Sequence, residues 1–119
     1  MVRSAARVAV DLLGRPVDLL RSAALRPALV SLIYHRAGRR SSSPVDLDSE
    51  TFERQLDLLA STGRVVSLDE ALAWHSSPEG SDGGPRIVIT VDDGTADWPD
   101  VMMPALVERG LPATFYVAT

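Results

Sequence analysis

Asp92 and Asp93 stand side by side where the apolar run Ile87-Val88-Ile89-Thr90-Val91 stops, and Gly94 follows them. An unbroken run of this kind reads as a fully buried strand of a parallel sheet. α/β proteins place their chemistry at the C-terminal ends of such strands. On a regular strand the two carboxylates would point to opposite faces. Gly94 permits a turn at which the pleat gives way, so that the pair can share one site. Two close carboxylates without a cation would push one pKa up. A bound metal relieves this, leaving one acid as ligand and its neighbour free as a base. On these residues alone three readings stand open. They are a turn or helix cap built from common turn residues, a phosphoaspartyl nucleophile, and a metal-assisted site.

The elements that must position the pair follow from the pattern on either side. Residues 28–34 read as a strand, closed by His35-Arg36 and followed by a polar loop through Arg39, Arg40, Ser41, Ser42, Ser43 and Pro44. Asp48 or Ser49 caps a helix with Phe52, Leu56, Leu59 and Ala60 on one face, and Gly63 stops it. Val65-Val66 reads as a short strand. Ser67 and Glu70 form a capping box for a second helix that runs to about Trp74. Residues 76–85 are rich in Ser, Gly and Pro and read as a surface loop. After the acid-tipped strand, Asp97 or Trp98 starts a helix with Pro99 in its first turn, running to about Arg109 and stopping at Gly110. Residues 113–118 form a last strand. Strands alternating with helices of this length predict parallel βα units. Three or four such units do not close a barrel, so the expectation is an α/β fold that is part of a parallel (β/α) barrel, apparently truncated.

Composition narrows the class further. The chain has 119 residues, 45% apolar and 24% charged, which is an ordinary globular balance. Cys is absent, which removes disulfides, thiolate metal sites and Cys nucleophiles. Residues 1–40 hold eight arginines against Asp11 and Asp18, a balance of +6, while the rest hold four arginines against fourteen acids, a balance of -10. Residues 1–27 are expected to form a basic helical segment, with Val8, Leu12, Leu13, Val17, Leu20 and Ala24 at helical spacing and a break near Pro16. Asp11 interrupts the only run that resembles a signal peptide, and no stretch reaches the ~20 apolar residues of a membrane span. No aromatic residue precedes Tyr34 to stack on bases, so a nucleic-acid partner is not expected.

Motifs around the pair resolve the three readings. Val91-Asp92-Asp93-Gly94-Thr95 matches the tail of the Asp-x-Asp-Gly-Thr phosphatase motif, but Val91 stands at the nucleophile position and valine cannot attack phosphorus. By contrast, Thr90-Val91-Asp92-Asp93-Gly94 resembles the Thr-Phe-Asp-Asp-Gly of the polysaccharide deacetylases, the NodB-homology or family 4 carbohydrate esterases, with Val91 for the usual aromatic. Pro104-Ala105-Leu106 and the run Gly110-Leu111-Pro112-Ala113-Thr114-Phe115-Tyr116-Val117 are similar to that family's next stretch. Upstream, Tyr34-His35-Arg36, Phe52-Glu53-Arg54-Gln55-Leu56, Gly63 and Val66-Ser67-Leu68-Asp69-Glu70-Ala71 keep the family's order. The ordered set covers about residues 29–119 and is far more specific than any one motif.

The resemblance implies a distorted (β/α) barrel and metal-dependent hydrolysis of acetyl groups, on carbon–nitrogen (non-peptide) or ester bonds, from an acetylated polysaccharide or oligosaccharide. It implies Asp92 as catalytic base, Asp93 as a ligand of a divalent metal, usually zinc, and His35 as a substrate-side residue near the pair. His75 reads as a surface residue. The family's His-x-x-x-His, which supplies further ligands, has no match, because His35 and His75 both lie upstream of the pair. Residues 28–119 are therefore expected to be the N-terminal half of such a domain. Either activity needs the other half, or the chain is an inactive remnant or non-catalytic binding module of the same fold. The exposed half-barrel edge predicts self-association. The family often works at the cell envelope, but the compartment stays open, as does the polysaccharide.

Overall fold

The structure, a computed structural model, describes residues 28–76 and 84–119. The basic helix expected over residues 1–27 and most of the loop expected over 76–85 lie outside the described residues. β1 (Leu29–Tyr34), β4 (Arg86–Asp92) and β5 (Thr114–Tyr116) form a parallel sheet in the order β1-β4-β5. Between β1 and β4 come β2 (Arg36–Ala37), β3 (Asp46–Leu47) and helices α1 (Ser49–Thr62) and α2 (Leu68–Ser76). Between β4 and β5 come a π-helical turn (Trp98–Met102) and helix α3 (Met103–Glu108). The α/β class and the parallel sheet are as the sequence predicts.

The apolar run becomes the central strand because only a strand covered on both faces can bury it. Val88, Ile89, Thr90 and Val91 are all buried in β4. Ile89 and Val91 join one core with Phe52, Leu56 and Leu59 of α1 and Met102, Ala105 and Leu106 of the third helical segment. Each such side chain taken out of water is worth roughly 1.5–3 kcal/mol. Tyr34 packs edge-on against Phe52, with ring centroids 5.2 Å apart, and its hydroxyl donates to Gln55 Oε1 at 2.9 Å. Burial raises its phenol to about 12. By the period-2 rule the Val88, Thr90 and Asp92 side chains belong to the opposite face.

The helix ends follow their local chemistry. Asp48 accepts from the Thr51 N–H at 2.8 Å as N-cap of α1, and Gly63 ends the helix at a φ of 61° that a side chain would resist. Ser67 and Glu70 bond reciprocally, Ser67 N–H to Glu70 Oε2 at 2.9 Å and Glu70 N–H to Ser67 Oγ at 3.2 Å.

Three expectations are corrected and one pair of strands is added. Ala60 is exposed and does not share the buried face of Phe52, Leu56 and Leu59. Val65-Val66 is not a strand, because only Val65 bridges to Ile87 before α2 begins. The polar loop from Arg39 to Pro44 is irregular as expected, but a short parallel pair that the pattern does not announce, β2 with β3, flanks it. The helix after the acid tip opens as a π turn, with the Met103 N–H bonded to Trp98 O. Pro104 explains the last. It lacks an N–H for the Asp100 carbonyl and its ring would crowd that carbonyl, so the preceding turn widens.

Candidate active site

β4 carries the two acids to the C-terminal edge of the sheet. Tyr34 pairs with Val91 and Tyr116 with Asp92, so β1, β4 and β5 end at one level. There the backbone leaves the pleat. Asp93 adopts a φ of 85° and Gly94 one of 78°. Gly94 accepts this region freely, but Asp93 is held in one that costs a side-chain-bearing residue on the order of 1–3 kcal/mol. The turn answers the alternation problem posed by adjacent strand residues. Asp92 and Asp93 both line one open depression of about 600 Å³, together with Ser31, Ile33, Leu68, Thr90, Tyr116 and Val117. Asp92 is half-buried and Asp93 exposed.

His35 follows the end of β1 at the same edge and is half-buried, but it is not among the residues lining the depression. Its carbonyl accepts from the Trp98 indole N–H at 3.2 Å. His75 is exposed on the last turn of α2. The structure thus brings Asp92 and Asp93 together and leaves His35 behind the tip. Tyr116, half exposed beside Asp92, escaped sequence reasoning. Its signal is the parallel register, which period-2 patterning cannot supply.

A second group of charges lies under the same edge. Asp97 is 1% exposed and Asp46 4% exposed. Arg36 stands between them, with Nη2 3.4 Å from Asp97 Oδ1 and Nε 3.9 Å from Asp46 Oδ2. Burial works to raise both carboxyls. Hydrogen bonds outweigh it, from the Ala37 N–H to Asp97 and from Ser41 and the Arg39 N–H to Asp46, and with the Arg36 charge they hold both below the usual range.

The donors decide how much of a metal centre is present. Among the described residues no group of three or more His, Cys, Asp or Glu is placed to hold an ion. Catalytic zinc sites take three protein ligands, and the Asp92–Asp93 tip supplies two carboxylates at most. The described residues by themselves do not fit a zinc centre. Also among them, no helix is long and apolar enough to cross a membrane.

With the geometry established, likeness to known proteins identifies the class. No family model matches the sequence, and no curated protein does. Solved structures do match. IcaB from Ammonifex degensii is 30% identical with a TM-score of 0.65, over 77% of this chain and 40% of that one. The Streptococcus pyogenes deacetylase PplD, in complex with acetate, is 23% identical with a TM-score of 0.62, over 75% of this chain and 42% of that one. A de-N-acetylase from Aggregatibacter actinomycetemcomitans is 21% identical with a TM-score of 0.61, over 73% of this chain and 36% of that one. The chain has the fold of the polysaccharide deacetylase, or NodB-homology, family, as its motifs predict. It spans about two fifths of the length of these solved structures.

Proposed function

We propose that residues 28–119 form the N-terminal half of a carbohydrate deacetylase site acting on an acetylated polysaccharide or oligosaccharide. The observation that carries this reading is the tip itself. Two carboxylates at the end of a buried parallel strand line one depression, and the second is held at a φ of 85° that a simple turn would give to glycine. In this reading Asp92 is the general base. It takes a proton from the water that attacks the acetyl carbonyl carbon. The bond from that carbon to the sugar nitrogen or oxygen then breaks, releasing acetate, and the departing nitrogen or oxygen takes up a proton from an acid outside the described residues, leaving a free amine or hydroxyl on the sugar. Asp93 is one ligand of a divalent metal, zinc by resemblance, and the other ligands come from outside the described residues. His35 does not line the depression, and its place on the substrate side rests on the resemblance alone. The basic segment 1–27 precedes this unit.

The donor count predicts the behaviour of the chain alone. It should release no acetate from acetylated chito-oligomers, with or without zinc. Among the described residues β1 and β5 are the outer strands of the sheet with no further strand paired to them, which favours self-association. The deciding experiment supplies the other half. Residues 28–119 are fused ahead of the part of Ammonifex degensii IcaB that this chain does not span. The folded fusion should release acetate from acetylated chito-oligomers when zinc is added, and Asp92→Asn should abolish the release. A folded, zinc-loaded fusion that is inert, or one indifferent to Asp92→Asn, would count against the proposal.

A further inference from the structure

Asp97 occupies the N-cap position of the helical segment after the tip, yet its carboxylate makes no cap bond there. It reaches back across the chain instead. Oδ2 accepts from the Ala37 N–H at 2.9 Å, and Oδ1 lies 3.4 Å from the Arg36 guanidinium. The next residue grips the same segment, Trp98 donating to His35 O at 3.2 Å while its ring meets Phe115 at 4.8 Å. Two consecutive residues downstream of the tip are therefore tied to residues 35–37, the direct continuation of β1. Upstream, Asp92 is still in register with Tyr116 in the sheet. The stretch 93–96 is thus held at both ends.

The other side of the clamp is built with equal care. Asp46 receives the Arg39 N–H at 3.0 Å, the Ser41 N–H at 2.9 Å and the Ser41 hydroxyl at 2.8 Å, so the carboxylate flanking Arg36 is itself fixed. Gly38 lets the loop close on the π turn, since a Cβ there would meet Val101 Cγ2 at 3.3 Å. A buried ion pair is a poor source of stability compared with apolar packing of the same size. What it supplies is direction, because one carboxylate oxygen is held by the Ala37 N–H and the other faces the Arg36 guanidinium.

We infer that Asp97, oriented by Arg36 and the Ala37 N–H, is a positioning residue that holds the Asp92–Asp93–Gly94 tip in its strained, site-forming turn. This rests on the reading of the tip as the catalytic centre. Strain at a side-chain-bearing residue persists only where its surroundings over-determine it, and the clamp is the over-determining contact.

The test needs neither metal nor substrate, so its failure is distinct from failure of the deacetylase reading. 15N relaxation of the 119-residue chain gives order parameters for Asp93, Gly94 and Thr95, and 13C shifts report the Asp93 backbone conformation. The wild type should show the tip as ordered as the sheet, near 0.85. Asp97→Asn keeps the size and one acceptor but removes the charge, and Arg36→Met removes it from the other side. Either should drop the tip below about 0.6 and shift Asp93 out of the positive-φ region while the sheet stays ordered. Arg109→Ala is the control, because Arg109 pairs with Asp57 and Glu53 of α1, on the helix side. It should lower the melting temperature and leave the tip ordered. The inference is overturned by a wild-type tip that is already mobile or by variants with wild-type tip order. It is equally overturned if Arg109→Ala loosens the tip to the same degree, or if both clamp variants lose the whole fold.

Discussion

Asp93 pays a conformational penalty at φ 85°, and that penalty separates a site from a turn. Replacing it by Gly relieves the strain, at the cost of greater freedom in the unfolded chain. We expect Asp93→Gly to raise stability by about 1 kcal/mol in urea unfolding, the balance of those two effects. A loss of similar size would mean that the side chain stabilises the turn and that the geometry needs no functional account. The acid pair was legible in the sequence because an apolar strand ending in two charges is costly unless used. The role of Asp97 was not. At a helix start an Asp reads as a cap, and only the fold reveals that its carboxylate turns to Ala37, sixty positions away.

At the scale of elements, packing around β4 explains the departure at Val91. The side chain is fully buried in the core with Phe52, Leu56 and Met102, and the sheet reaches that core without an aromatic at this position. Val91→Phe, which would restore the residue usual in the resembling motif, should destabilise the chain by about 1–3 kcal/mol through overpacking. Thermal and urea unfolding read this, and an unchanged midpoint would show slack in the core. The long, strongly patterned elements were readable. α1 announces itself by Phe52, Leu56 and Leu59 between Asp48 and Gly63, and α2 by its Ser67–Glu70 box. The short ones were not. β2 and β3 are two residues each and exist because the loop packs on the π turn, and that turn exists because Pro104 withholds an N–H. Both are tertiary effects with no local period.

For the whole molecule, the acids set the response to pH. Asp46, Asp48, Glu70 and Asp97 all titrate below their ordinary values in the fold, each through hydrogen bonds to its charged form that outweigh burial. A carboxyl with a depressed folded pKa binds protons more readily when unfolded. Its stabilisation is therefore complete above the ordinary carboxylate range, near 4, and is lost as pH falls through the lower folded values. The urea midpoint should hold from pH 7 to about 5 and then fall steadily toward pH 3. A midpoint that is flat to pH 3 would contradict the assigned hydrogen bonds.

In the proposed function Asp93 binds a divalent cation beside Asp92, and Mn²⁺ titration followed by amide NMR can find that cation. Paramagnetic broadening should centre on Asp92, Asp93 and Gly94, weak because the ligand set is incomplete, and should be at least tenfold weaker in Asp93→Asn. Broadening spread evenly over exposed acids such as Glu50, Asp57 and Glu108, or unchanged by Asp93→Asn, would contradict it.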